Sequence, residues 1–246
     1  CLSRKLWSSR RMILLVDADS LVFASCYRPR EDVDTFYTNL DDVIHKFDES
    51  FMKIVNDLSD KYEVKEVLTF NNSKGNFRKL ITPTYKANRI GQKKPPLLKE
   101  MHDYVQETYD GIYGYGIETD DIVATYWKEL STKFGRENVM IVSIDKDYLQ
   151  FPALIYKYNR KEILDLSKYD SLLNFYTQMI VGDTADNVNY FKGKGIKFAQ
   201  KYYKECDTKY QFTKMLYLLF KERYKSKARE KYIECYNLLK LRTEWT

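Results

Sequence analysis

The stretch ILLVDADSLVF, residues 13–23, constrains the fold more than any other part of the chain. Ile13 to Val16 are four consecutive aliphatic residues. They read as a strand covered on both faces, as in a parallel sheet with helices on either side. Two carboxylates, Asp17 and Asp19, close the run. Open α/β sheets place their ligands at the carboxyl ends of strands, so the same residues that predict a buried strand also predict a site.

The pattern recurs along the chain. Leu40 to Leu58 spaces Ile44, Phe47, Phe51, Ile54, Val55 and Leu58 as one face of an amphipathic helix. VKEVLTF, residues 64–70, is a second strand that ends at Asn71 and Asn72. Residues 74–96, KGNFRKLITPTYKANRIGQKKPP, interleave Lys and Arg with Phe and Tyr, and a helix from about Leu97 to Tyr109 follows. ETDDIVATYWKEL opens another helix, with Thr119 as its expected N-cap. NVMIVSIDKD is a third buried strand, ending in Asp145 and Asp147, and ALIYKYN and EILDL are short strands. From Lys168 onward the pattern is helical, broken by GDTADNVNYFKGKGIK. Strands alternating with helices predict an α/β fold: a mostly parallel twisted sheet flanked by helices, followed by a helical C-terminal region. The expected division is a core over 12–166 and a helical region over 167–246. Residues 1–11 carry four bases and no acid. They read as an appended remnant or extension, or as an Arg- and Ser-rich transit peptide, outside the fold.

Several function classes drop out. No apolar run approaches the roughly 20 residues that a membrane-spanning helix needs, so a cytoplasmic protein without a membrane partner is expected. The four cysteines are scattered without a C-x-x-C pair and read as reduced thiols rather than a zinc or disulfide frame. His45 and His102 are the only histidines, and both are expected at the surface of helices. Imidazole-based metal or triad chemistry is therefore thinly supplied.

Acids, in contrast, cluster in four separate stretches: Asp17/Asp19, Glu118/Asp120/Asp121, Asp145/Asp147 and Asp183/Asp186. In the first turn of a helix such residues are favoured by the dipole and need no further role. Four groups together repel one another unless cations neutralise them, and oxygen-only donors suit Mg²⁺ or Mn²⁺ rather than zinc. The chain carries 41 basic and 35 acidic residues, a net charge of +6. Without the nine clustered acids, 41 bases face 26 acids, a surplus of fifteen positive charges on the remaining surface. An acidic pocket in a basic protein is what a metal-dependent enzyme acting on a polyanion requires. A phosphatase of the haloacid dehalogenase type could also use D-x-D, as nucleophile and acid/base partner. GDTADN only loosely fits that family's G-D-x-x-x-D motif, however, because Asn187 stands at the last position. That reading also leaves ETDD, Asp145/Asp147 and the basic segment unexplained.

LVDADSLVF, NFRKLITPTYKANR, ETDDIVA, SIDKDYLQ and VGDTADNV, in this order, resemble successive motifs of the phage and bacterial 5′-nuclease family of flap endonucleases and 5′→3′ exonucleases. GKGIK resembles that family's helix–three-turn–helix DNA-binding element. The wording of DADSLVF and YKANR…KKP is most similar to the short-tailed-phage exonucleases of the T7 type. The resemblance covers roughly residues 12–205 and implies a PIN-like core. It implies one metal site from Asp17, Glu118 and Asp120, with Asp121 and Asp145 near or between the metals, and a second drawing on Asp147, Asp183 and Asp186. Asp19 has no general role in the family and enters as an outer-shell acid. Lys86 and Arg89 would clamp the scissile phosphate, Tyr85 would stack on an end base, and Arg78 would be a further phosphate contact. Gly193, Gly195 and Lys197 would grip a duplex phosphate, in an element that often holds K⁺ as well. The implied activity is Mg²⁺-dependent cleavage of duplex, nicked or flapped DNA from 5′ ends, leaving 5′-phosphate products, in phage DNA replication. RNA–DNA hybrids remain open as substrates.

The sequence departs from the family in one place. An Asp is expected at the end of the second strand, and here Asn71 stands in the best register, with Asn72 as the alternative. An amide oxygen is a weaker Mg²⁺ ligand than a carboxylate, so Asn71 is expected to weaken the first site. It keeps open a catalytically silent DNA-binding protein of the same fold. A PIN-type ribonuclease shares the core acids but would not need the GDTADN and GKGIK elements.

Overall fold

The structure is a computed structural model and describes residues 11–28 and 36–244. The expected extension lies outside the described residues except for Arg11, which begins the first strand. In chain order the elements are β1 (Arg11–Asp17), α1 (Asp19–Ser25), α2 (Leu40–Ser59), β2 (Glu63–Phe70), α3 (Arg78–Ile81), α4 (Leu98–Thr108), α5 (Thr119–Phe134), β3 (Val139–Val142), β4 (Leu154–Lys157), β5 (Glu162–Asp165), α6 (Lys168–Val181), α7 (Ile196–Tyr202), α8 (Lys209–Tyr224) and α9 (Ala228–Leu239). The sheet order is β2-β1-β3-β4-β5. β1, β2, β3 and β4 run parallel, and β5 returns antiparallel at the edge.

Strand alternation sends β1 side chains to two cores. Met12, Leu14 and Val16 pack with Val22, Phe47 and Met101 from the helices on one face. Leu15 packs with Ile122, Val123 and Trp127 of α5 on the other. A third cluster, built from Phe175, Met179, Phe212, Leu216 and Phe220, holds the C-terminal helices together. Tyr203, Phe212 and Phe220 of the Lys201–Arg223 stretch are fully buried within it, whereas Tyr210 is exposed. Crossover connections place the carboxyl ends of β1 and β3 side by side, Val16 pairing with Val142. Asp17, Asp145 and the start of α5 are thereby brought to one edge of the sheet.

Some local expectations need correction. Glu118, not Thr119, is the residue preceding α5, and the Asp121 carboxylate accepts from its backbone N–H at 3.2 Å. The basic segment forms no long helix: it holds the four-residue α3 and a 3-10 turn over Ala87–Arg89, with Lys86 at φ 55°. Pro83, Pro95 and Pro96 each disfavour a helical residue before them. His45 is exposed, whereas His102 is largely buried beside the start of α1, its Nδ1 3.8 Å from Asp19 Oδ1. Burial holds its imidazole below the usual value. Cys26, Cys206 and Cys235 are free and buried; Cys1 lies outside the described residues.

Candidate active site

The acid groups converge on one cavity of about 520 Å³. Eight carboxylates line it (Asp17, Asp19, Glu118, Asp120, Asp145, Asp147, Asp183 and Asp186), against the cations Lys86, Arg89 and Lys146. Four pieces of backbone place these acids. Asp17 ends β1, where Oδ2 accepts from the Tyr148 hydroxyl at 2.8 Å and the Ser143 hydroxyl at 3.3 Å. Asp145 and Asp147 follow β3, and the Asp147 side chain is held by Gln178 Nε2 at 2.6 Å. Asp183 and Asp186 sit in the turn after α6. Gly182 is required there, because its φ is 79° and a Cβ would lie 2.2 Å from the Val188 carbonyl oxygen. That close approach lets Asp183 and Val188 exchange two backbone hydrogen bonds of 2.7 and 2.8 Å. Asp183 Oδ1 then accepts from the backbone N–H groups of Ala185 and Asp186.

Crowding and burial set the electrostatics. Burial, with Asp19 and Asp145 adding repulsion, pushes the Asp17 carboxyl from 3.8 up to about 7 despite the Tyr148 hydrogen bond. Burial together with Asp145 and Asp183 pushes Asp147 to about 7 as well. Asp120 is driven well above the usual range by burial and by Asp121 and Glu118, and Asp186 is raised mainly by burial. Burial works against the charge of Lys86, but Glu118 and Asp186 outweigh it and raise its ammonium. These groups are costly to ionise together without an added cation.

The donor set fits a hard divalent cation. Ligand oxygens of Glu118, Asp120 and Asp121 lie within 4.8 Å of one another, as do those of Asp147, Asp183 and Asp186. Asp17 Oδ1 is buried in the cavity wall without a hydrogen-bond partner. Such an orphaned carboxylate oxygen calls for a partner, and oxygen donors without imidazole or thiolate suit Mg²⁺ or Mn²⁺.

Four sequence-derived assignments meet a different geometry. Arg78 is not exposed to a DNA phosphate. It is 1 % exposed, and its guanidinium bonds Asp121 twice, Glu118 once, and the Leu238 and Lys240 carbonyls. Asp121 is correspondingly turned into that buried pair and does not line the cavity. Tyr85 is not free to stack on a base: it is 3 % exposed, and its hydroxyl lies between carboxylate oxygens of Glu118 and Asp186, 2.8 Å from each, with its one proton to share between them. Asn71 lies outside the cavity, its amide donating to the His102 carbonyl at 3.0 Å, while Asn72 presents its backbone N–H to Asp19 Oδ1 at 2.8 Å. Lys86 and Arg89 do reach the acids. Lys86 pairs with Glu118, and Arg89 Nη2 lies 2.8 Å from Asp186 Oδ1. Gly193, Gly195 and Lys197 are exposed at the start of α7, away from the cavity.

Three supporting residues had little or no sequence signal. Thr119 donates to Asp19 Oδ2 at 2.7 Å, so Asp19 is fixed from both oxygens. Tyr148 and Lys146 are the others. Tyr148 sits among core positions and looks like packing, whereas the D-K-D spacing of Asp145, Lys146 and Asp147 was the one available clue to Lys146.

A family model described as the 5′-3′ exonuclease N-terminal resolvase-like domain matches residues 12–171. A 5′-3′ exonuclease of Buchnera aphidicola subsp. Schizaphis graminum is 26 % identical over 209 residues, 78 % of this chain and 70 % of that protein. DNA polymerase I of Bacillus subtilis is 29 % identical over 221 residues, 82 % of this chain and 24 % of the polymerase. Among solved structures, the bacteriophage T5 flap endonuclease, in a pseudo-enzyme-product complex with DNA and metal ions, shares the fold. Its TM-score is 0.67 at 16 % identity, covering 93 % of this chain and 89 % of that one. With well over half of its length matched by the family model, in the segment that carries β1, α5 and the Asp145/Asp147 loop, the chain belongs to the 5′-3′ exonuclease family.

Proposed function

We propose that the chain is a metal-dependent 5′ nuclease that hydrolyses DNA phosphodiesters at 5′ ends or flaps and leaves 5′-phosphate products. Mg²⁺ is the resident cation, replaceable by Mn²⁺, and the role is phage DNA replication. The observation that carries this reading is the convergence of eight carboxylates from four chain segments on one cavity bordered by Lys86 and Arg89. Asp17, Glu118, Asp120 and Asp145 would hold one cation, and Asp147, Asp183 and Asp186 a second. Bound there, such ions would lower the pKa of a coordinated water and would stabilise charge on a departing 3′ oxygen.

The chain's own residues do the rest. Arg89 is half-exposed beside Asp186 and can turn a planar fork of donors toward a phosphate. Lys86 supplies a second charge from a shorter reach. Tyr85 ties Glu118 to Asp186 through one hydroxyl and so couples the two acid trios mechanically. Tyr148 and Ser143 fix one oxygen of Asp17 and leave the other available. A basic groove of about 640 Å³, lined by Lys79, Lys86, Arg89 and Lys94, opens beside the cavity and gives a polyanion an approach.

The test is digestion of end-labelled duplex, flapped and RNA–DNA hybrid substrates with Mg²⁺ or with EDTA. Cleavage is expected only with the cation. Asp145→Asn is expected to lower turnover far more than DNA affinity, because its charge acts on the transition state. Cleavage that persists in EDTA overturns the reading.

A further inference from the structure

Asp183 is 3 % exposed, and its two oxygens have different partners. Oδ1 is tied to the backbone by the Ala185 and Asp186 N–H groups. Oδ2 is paired with the Lys146 ammonium at 2.9 Å. A carboxylate oxygen of Asp183 lies within 4.8 Å of oxygens of Asp147 and Asp186, so the three could share a ligand. The Lys146 ammonium therefore sits on a carboxylate of the trio that a second cation would claim.

The lysine is not locked there. Its side chain is 56 % exposed, whereas Lys86 is 19 % exposed and is wedged between Glu118 and Asp186. Lys146 also borders a separate small groove of about 220 Å³, whose walls include Leu149, Val181 and Ile196. An aliphatic stem can lie along such a surface while its ammonium stays in water. A second resting place thus exists beside the first.

We propose that Lys146 is the built-in counter-ion of the Asp147/Asp183/Asp186 trio, displaced from Asp183 when a divalent cation enters and thereby released to a substrate phosphate. The proposal rests on the metal-dependent reading above. A divalent cation outcompetes a single ammonium at a carboxylate cluster because it carries twice the charge and binds several oxygens at once. Once neutralised, the trio no longer holds Lys146, which stands at the cavity rim where a phosphodiester would arrive. The lysine thus keeps the acids tolerable to one another before loading and adds a positive charge for the polyanion afterwards.

The test uses the full chain stripped of metal, with Ca²⁺ as an oxygen-seeking probe. Lys146→Met keeps the stem and removes the charge, and a thermal melt checks that the variant is folded. Calorimetric titration is expected to show Ca²⁺ binding to K146M more tightly than to wild type, by roughly 1.5- to 5-fold, the effect of one partly solvated unit charge. Binding to duplex DNA is then measured against salt. In Ca²⁺, K146M is expected to show a salt slope smaller by about one unit, one lost phosphate contact. In EDTA, the slopes of K146M and wild type should coincide, because Lys146 is then held by Asp183. Unchanged or weaker Ca²⁺ binding by K146M overturns the counter-ion role. A slope change of equal size in EDTA and Ca²⁺, or in neither, overturns the release. Wild-type protein that takes up no divalent cation overturns the metal-dependent reading itself, a result separable from either outcome for K146M.

Discussion

Replacing Arg78 with alanine tests whether this residue belongs to the fold or to the DNA interface. A guanidinium has five N–H donors, and Arg78 spends all five: one on the Leu238 carbonyl, one on Glu118, two on Asp121 and one on the Lys240 carbonyl, between 2.7 and 3.0 Å. Burial opposes its charge, but Asp121, Asp120 and Glu118 outweigh burial and raise the group above its ordinary value. Removing it strands Asp121, which is fully buried. Breaking a buried pair from one side costs roughly 3–5 kcal/mol, because the remaining charge is left uncompensated. At about 2–4 °C per kcal/mol for a chain of this size, the melting temperature should fall by roughly 6–20 °C. Arg78→Lys keeps the charge but offers three donors to five acceptors, so it should recover only part of the loss. Combined with Asp121→Ala, the double variant should lose less than the two singles added together, by at least about 1 kcal/mol. Urea unfolding with an unchanged m-value is the assay. A stable Arg78→Ala protein whose DNA binding instead loses about one unit of salt slope would return Arg78 to the interface and refute this account.

Further outcomes follow from the same geometry. Asp17 and Asp147 are raised from 3.8 to about 7 without metal, so the folded chain holds more protons than the unfolded chain between those values. Stability of the metal-free protein should therefore fall as pH rises through that window. The melting-temperature gain from Mg²⁺ should be larger at pH 8 than at pH 5, and an equal gain at both contradicts the linkage. Asn71→Asp places a carboxylate against the His102 carbonyl and loses the 3.0 Å amide bond, at a cost of about 1–3 kcal/mol. It should leave calorimetric Mg²⁺ affinity unchanged, and a tightening would show that residue 71 faces the cations after all. Lys197→Ala should reduce the salt slope of duplex binding by about one unit without altering single-turnover cleavage at saturating DNA. An unchanged slope makes the GKGIK turn a structural element.

What the sequence disclosed and what it withheld divide along a physical line. The apolar run before Asp17 and the β3 run before Asp145 announced both the buried strands and the acids at their ends, because a strand covered on both faces has few ways to be written. The convergence of Asp183 and Asp186 with them was legible only as a count of acids that had to be neutralised. Gly182 and the turn that carries them into the cavity require a close backbone approach that no periodicity reports. The basic segment misled for a related reason. Arg78 and Tyr85 read as surface chemistry from their neighbours, Lys79, Lys86 and Arg89, because residue type gives the donor but not its direction. In the fold, the same donors are directed inward onto Asp121, Glu118 and Asp186. A site that crowds eight carboxylates must be braced by cations and hydroxyls belonging to the protein before any substrate arrives. Part of what looks in the sequence like a grip on DNA is therefore the scaffold of the acids themselves. The partly exposed Arg89 and Lys146, each with a carboxylate partner and solvent beyond it, are the charges with freedom to turn outward.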